Sequence, residues 1–246
     1  MEGLVLSKER IIVALDVDSR QRALELVELL KDEVGMFKVG MQLFYSLGPG
    51  IVTEIAGLGG KVFLDLKMHD IPNTVAAGAR SLTRLGCAMF NVHAAGGFHM
   101  LKAAAEAAKN EAEKLGVEKP KLLAVTVLTS LSPIEVEKEM LSRLPLPELV
   151  RSWAAMAKEA GLDGVVASYH EVDLVRDACG KDFLVVTPGV RPAWSGTDDQ
   201  KRVATPFEAL KAGADYLVIG RPITNAQDPK EAARRIAQEL EGPRVD

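Results

Sequence analysis

Eight short apolar runs recur along the chain, at residues 11–15, 37–40, 62–66, 89–93, 122–127, 164–167, 183–187 and 216–219, and a longer stretch of helical periodicity separates each from the next. Several of these runs lack the alternation of a sheet with one wet face, so they read as parallel strands covered on both sides. Parallel neighbours cannot be joined by hairpins, and the helical stretches supply the crossovers. Local punctuation agrees: Asp18 and Ser19 can cap a helix over 20–31, Pro133 can open another after Ser132, and Gly161 and Gly213 follow Ala-rich stretches. Eight strand–helix units in 246 residues, with no long linker or break in composition, fit a closed (β/α)8 barrel and exceed what a doubly wound sheet usually holds. The expectation is an α/β chain forming one TIM-barrel domain over residues 1–246.

Two connections look elaborate. Residues 131–161 should hold two helices, and the polar segment 189–203 resembles a mobile lid. The formal charge of −4 and the absence of long basic runs leave no footprint for nucleic acid or an anionic membrane, so neither is expected as a partner. No uncharged apolar stretch is long enough to span a bilayer, and residues 1–10 lack a signal-peptide core, so the expected location is the cytoplasm. Cys87 and Cys179 suit buried thiols better than a disulfide framework.

In a barrel of this kind reactive side chains belong where strands end, because the carboxyl rim is the open face above a packed interior. Asp16, Lys38, Asp65, Lys67, Thr129, Pro188 and Arg221 all fall at or just after the ends of predicted strands. Asp65 and Lys67 are two apart in one strand and should share a face, with Asp70 in the turn that follows. Carboxylates on both sides would favour the ammonium form of Lys67, making it a proton donor and not a Schiff-base nucleophile. The alternative is a structural ion-pair network in which Asp70 caps the next helix. Lys38 on the neighbouring strand weighs against it, since burying so many ions without a ligand to organise is costly. Asp16 has a similar alternative as a helix cap, although Asp18 and Ser19 are better placed for that.

Ile219-Gly220-Arg221 suggests phosphate capture: the glycine allows close backbone approach, the arginine offers a two-pronged donor, and loops after strands seven and eight are the usual phosphate site of such barrels. A turn glycine beside a surface arginine is the alternative; nearby Arg191 and Gln200 favour the functional reading. Residues 57–61 resemble a phosphate loop only faintly, because they precede a strand and Val62 replaces the required hydroxyl residue. His69, His93, His99 and His170 show no zinc spacing, and Lys67 occupies the place a cation would take between Asp65 and Asp70, so no metal is expected.

The segment Phe63-Leu64-Asp65-Leu66-Lys67-Met68-His69-Asp70-Ile71-Pro72-Asn73-Thr74 closely resembles the orotidine 5′-phosphate decarboxylase family. So do Ala14-Leu15-Asp16, Phe37-Lys38-Val39-Gly40, Val125-Thr126-Val127-Leu128-Thr129-Ser130, Thr187-Pro188-Gly189-Val190-Arg191-Pro192 and Tyr216-Leu217-Val218-Ile219-Gly220-Arg221-Pro222-Ile223, in family order over nearly the whole chain. The resemblance implies a homodimer of barrels converting orotidine 5′-phosphate to UMP without metal or organic cofactor. It implies Lys67 as the proton donor, Asp65 beside the substrate carboxylate, and Asp70 reaching in from the partner subunit. Asp16 and Lys38 would hold ribose hydroxyls, with Lys38 also part of the catalytic set, and Thr74 would join the binding residues. Thr129 and the backbone near Pro188 would meet the pyrimidine. Arg191, Gln200, Gly220 and Arg221 would hold the phosphate, with 189–203 closing over it. Two rivals stay open at this point: a Mg²⁺-dependent sugar-phosphate decarboxylase or aldol enzyme on a related barrel, and a noncatalytic phosphate-binding barrel.

Overall fold

The computed structural model describes residues 7–195 and 204–242. Strands β1 (Ile11–Ala14), β2 (Met36–Gly40), β3 (Val62–Met68), β4 (Met89–His93), β5 (Lys121–Val125), β6 (Gly164–Val166), β7 (Leu184–Pro188) and β8 (Tyr216–Ile219) form a closed barrel in sequence order. The seam is parallel like the rest, with Ile11 opposite Leu217 and Val13 opposite Ile219. All eight predicted strands are present. Two differ instructively from expectation: β3 runs on to Met68, and β7 includes Pro188 at its end.

Among the described residues, helices α1 (Arg20–Leu30), α2 (Met41–Leu47), α3 (Gly50–Gly57), α4 (Pro72–Leu85), α5 (Gly97–Leu115), α6 (Pro133–Lys138), α7 (Leu146–Glu159), α8 (Val172–Cys179), α9 (Pro206–Lys211), α10 (Arg221–Thr224) and α11 (Pro229–Glu239) fill the connections. The β5–β6 connection holds two helices, as its length predicts. Ser19 accepts a hydrogen bond from the Arg22 N–H and starts α1, while Ser132 and Glu135 form a reciprocal capping box at α6. None of these helices is long and apolar enough to cross a membrane.

Strand periodicity divides the core into two layers. Ile12, Met36, Phe63, Met89, Leu123 and Val186 point into the barrel and pack on one another. Their neighbours Ile11, Val13, Phe37, Leu64 and Phe90 point outward beneath the helices, so each strand is buried on both faces and reads as continuously apolar. Cys87 and Cys179 are unpaired and buried, and burial pushes the Cys87 thiol up to about 12.

The amino-terminal end of the barrel is closed by two aspartates that precede strands. Asp163 Oδ2 accepts from the Leu122 N–H (2.8 Å) and from Lys119 Nζ (2.7 Å). Asp215 Oδ2 accepts from the Val185 N–H (2.7 Å) and from Arg176 Nη2 (2.6 Å). Arg176 also donates to the carbonyls of Gly213 (2.9 Å), Lys181 (3.1 Å) and Phe183 (2.6 Å). These charges are spent on satisfying backbone groups at strand ends.

Candidate active site

The inward-facing positions that make the barrel core continue to its carboxyl rim, where they change character. Ala14, Phe63, Val125, Val166 and Val218 form an apolar floor, and two residues further along β1, β3 and β8 stand Asp16, Asp65 and Gly220. Together with Lys38, Lys67, Thr129, Pro188, Arg191 and Arg221 they line a cavity of about 300 Å³. Most residues singled out from the sequence therefore converge on one space: acids and lysines on the β1–β3 side, arginines and glycines on the β7–β8 side.

The acids and lysines form an alternating line. Lys38 Nζ lies 3.1 Å from Asp16 Oδ1 and 3.4 Å from Asp65 Oδ2, and Lys67 Nζ lies 2.6 Å from Asp65 Oδ1. Side-chain exposure is 11% for Lys38, 13% for Asp65 and 25% for Lys67 but 58% for Asp16, so the centre of the line is largely withdrawn from water while its Asp16 end is wet. Burial pushes the Asp65 carboxyl up, but the charges of Lys38 and Lys67 and hydrogen bonds from Lys67 and Asn91 outweigh it and hold the group below its ordinary value. Gly40 leaves room for this pairing, since a Cβ there would stand 3.1 Å from Lys38 Nζ and 3.4 Å from Asp16 Oδ1.

The expected arrangement of Lys67 between two carboxylates is inverted within one chain: Asp65 sits between two ammonium groups. The reason is local. Lys67 has φ 52°, the left-handed region, which kinks β3 one residue before its end at Met68. Asp70 lies beyond that kink, exposed, with its carboxylate accepting from the Ile71 N–H at 2.6 Å. It does not cap α4, whose N-cap residue is Ile71. Thr74, in the first turn of α4, is likewise exposed and outside the cavity lining. A left-handed non-glycine residue costs about 1–2 kcal/mol, so Lys67 must be held there by its surroundings.

The holding group is one that the sequence reading missed. Asn91, on the adjacent β4 and 1% exposed, accepts from the Lys67 N–H (2.8 Å) and donates to Asp65 Oδ1 (2.7 Å). Its only signal was a lone amide in an otherwise apolar strand. His93, two residues on, is half-buried with its ring 5.6 Å from that of His69. Burial first, then the neighbouring His69 and Lys67, hold its pKa below the usual imidazole value.

Across the cavity, Gly220 follows the end of β8 and Arg221 begins α10, while Arg191 is buried at 6% exposure. A Cβ at Gly220 would project to within 3.4 Å of Ala14 Cβ and 4.0 Å of Asp16 Oδ2, into the space the cavity needs. The Arg191 N–H donates to the Ala204 carbonyl (2.9 Å), and Val190 and Ala204 form a parallel bridge. Trp194 lies under Arg235, 4.7 Å from guanidinium to ring centroid. Gln200 and the rest of residues 196–203, the later part of the predicted closing segment 189–203, lie outside the described residues.

Fold and cavity together define a (β/α)8-barrel protein with a charged site at the carboxyl rim, cationic at one end and mixed in sign at the other. A family model described as "Orotidine 5'-phosphate decarboxylase / HUMPS family" matches residues 9–236. The chain belongs to that family. A protein of Syntrophomonas wolfei named orotidine 5′-phosphate decarboxylase is 60% identical over 236 residues, covering 96% of this chain and 99% of that protein. One of the same name from Moorella thermoacetica is 55% identical, covering 96% of this chain and 93% of that protein. Among solved structures, orotidine 5′-phosphate decarboxylase from Lactobacillus acidophilus superposes with a TM-score of 0.84 at 44% identity, covering 94% of this chain and 99% of that one.

Proposed function

We propose that the chain decarboxylates orotidine 5′-phosphate to UMP, the closing step of pyrimidine nucleotide synthesis, with Lys67 as the group that stabilises and then protonates the reacting carbon. The observation that carries this reading is the buried line Lys38–Asp65–Lys67 beside a cavity whose other end bears Arg191 and Arg221. Breaking the bond between C6 and its carboxylate releases CO₂ and leaves an electron pair in the plane of the pyrimidine ring, where the π system cannot delocalise it. A fixed ammonium is the fitting stabiliser. The Lys67 ammonium then gives its proton to C6, forming the C–H bond of UMP, and the amine regains a proton from solvent.

The remaining roles are those that the family resemblance implies. Asp65 lies beside the departing carboxylate, Asp16 and Lys38 hold the ribose hydroxyls, and Thr129 with the backbone at Pro188 meets the ring. Arg191, Gln200, Gly220 and Arg221 hold the phosphate, and closure of 189–203 over it excludes water, so binding energy far from C6 aligns the charges. The working unit is a homodimer in which Asp70 and Thr74 enter the partner's cavity; their exposed positions just past the rim, next to Ile71 at 66% exposure, support that reading. A cytoplasmic location accords with two buried, unpaired cysteines.

A Mg²⁺-dependent reaction on the same barrel is not favoured, because the oxygens of Asp65 that would bind the ion are engaged by two ammonium groups and an amide. The deciding assay follows the loss of orotate-nucleotide absorbance with and without excess EDTA. Undiminished turnover is expected; activity that vanishes until Mg²⁺ is restored would establish the rival, and no turnover under either condition would leave a binding barrel. Mixing inactive Lys67→Ala and Asp70→Ala chains should restore activity through hybrid dimers. Confirmed hybrids that stay inactive would mean that each barrel is self-contained.

A further inference from the structure

We infer that Asn91 is a positioning residue for the decarboxylation: its side-chain amide fills the place where β3 loses register with β4 and fixes both the backbone of Lys67 and one oxygen of Asp65. The inference rests on the reading of Lys67 above and adds a member of the apparatus that does not itself meet substrate.

The register of the two strands carries the argument. Phe63 pairs with Met89 and Leu64 with Phe90, but the next pair is Met68 with Val92. Four steps along β3 (64 to 68) therefore match two along β4 (90 to 92), and two additional residues bulge from β3. Asp65 and Lys67 both lie in that bulge. On a regular strand they would share a face one pleat period apart; here the bulge, with Lys67 at φ 52°, sets the direction from which the ammonium meets the carboxylate, at 2.6 Å. The slip costs the Lys67 N–H its ladder partner, and the Asn91 carboxamide oxygen takes that bond at 2.8 Å.

The same carboxamide donates to Asp65 Oδ1 at 2.7 Å. The two partners dictate its orientation, since a backbone N–H can only donate and a carboxylate can only accept. A neutral side chain that accepts at one end and donates at the other, short enough to be 1% exposed, is what the gap requires. A carboxylate in its place would repel Asp65, and an aliphatic group would strand a buried N–H and half of a buried acid. A left-handed lysine persists only where its surroundings over-determine it, and Asn91 is the described side chain that bonds both to its backbone and to its ion-pair partner. The aim of the reacting ammonium is thus set from the neighbouring strand before any substrate enters.

A purely structural amide would lower stability and leave chemistry per folded molecule untouched, and the test separates the two. Asn91→Leu keeps the number and branching of heavy atoms, at a somewhat larger volume, and removes both bonds. The expected result is a fall in kcat of about 30- to 100-fold, with KM and UMP affinity changed by no more than about threefold, as a misaimed group costs rate more than binding. The groups facing Asp65 are Lys38 from β2, itself paired to Asp16, Lys67 from β3, and Asn91 and His93 from β4; His93 also faces His69 and Lys67. Losing the amide removes a bond to the charged form of Asp65, so the acid limb of kcat should move to higher pH. Asn91→Asp, differing by one group, should be slow at neutral pH and recover toward acid, where the new carboxyl takes up a proton and can donate as the amide did. Thr83→Val serves as control, since Thr83 is buried at 3% exposure and donates to the Ala79 carbonyl in α4: it should lower the melting temperature and leave kcat unchanged.

Wild-type kcat in Asn91→Leu with only the melting temperature reduced would overturn the inference. If that variant does not fold, Asn91→Asp decides alone: a kcat equal to wild type at every pH, or one that never recovers toward acid, overturns it. Failure of the wild-type chain to turn over orotidine 5′-phosphate would instead remove the underlying functional reading.

Discussion

The two ends of the barrel are built from the same ingredients and put them to opposite uses. At the amino-terminal end Asp215 and Arg176 bond one another, but each also bonds backbone: the Val185 N–H for the acid, the carbonyls of Gly213, Lys181 and Phe183 for the guanidinium. At the carboxyl rim Asp65, Lys38 and Lys67 bond chiefly each other, beside an open cavity. Charges whose remaining valences end on main chain hold the fold; charges whose remaining valences face a void are available to a ligand. An ion pair thus declares its purpose through its third and fourth partners.

Substitutions at three positions can break that contrast, in falling order of effect. Lys67→Ala should lower kcat by at least about 10⁴-fold, while UMP binding stays measurable by calorimetry. Lys67→Gly should be just as inactive yet more stable than Lys67→Ala by about 1 kcal/mol in urea unfolding, because glycine accepts the left-handed conformation freely. A Lys67→Ala chain working at full rate would sink the assignment of the proton donor. At the other end, Arg176→Ala should cost about 1–3 kcal/mol of stability, since it leaves a partly buried carboxylate and several carbonyls short of partners, with kcat per folded molecule unchanged. A selective loss of kcat there would show that the lower network reaches the chemistry. Arg221→Ala should raise KM by about 100-fold, equivalent to about 2.7 kcal/mol, and added guanidinium should restore part of it. Equal loss on orotidine lacking the phosphate would remove the arginine from phosphate binding.

Much of this was legible from the chain alone, for reasons that differ by residue. The eight strands announce themselves because burial on both faces makes them continuously apolar, as in Ile11–Ala14, where all four residues are buried. Asp65 and Lys67 were visible because charge at the end of such a run has no structural excuse. Their pairing was legible too, but neither the bulge that shapes it nor the placing of Asp70 away from Lys67 within one chain was. Period-two reasoning treats a strand as regular, whereas the slip between β3 and β4 depends on which residues of a distant segment lie opposite. Asn91 was hidden by the same non-locality: 24 residues from Lys67, it looks like a stray polar residue until the strands are set side by side. Asp70 and Thr74 were singled out with the rest, yet within one chain they stand outside the cavity, where a single barrel offers them nothing to act on.

The two additional residues in β3 carry a lesson for anyone transplanting this chemistry onto another scaffold. Copying the Asp-x-Lys triplet onto a straight strand would reproduce the letters and the shared face but miss the aim, because the backbone turn that sets where the amine points would be gone. A faithful graft must import the kink together with the amide on the adjacent strand that props it open. The smallest portable unit is therefore a pair of strands out of step with each other, and a designer who regularises them to improve the sheet would erase the catalyst.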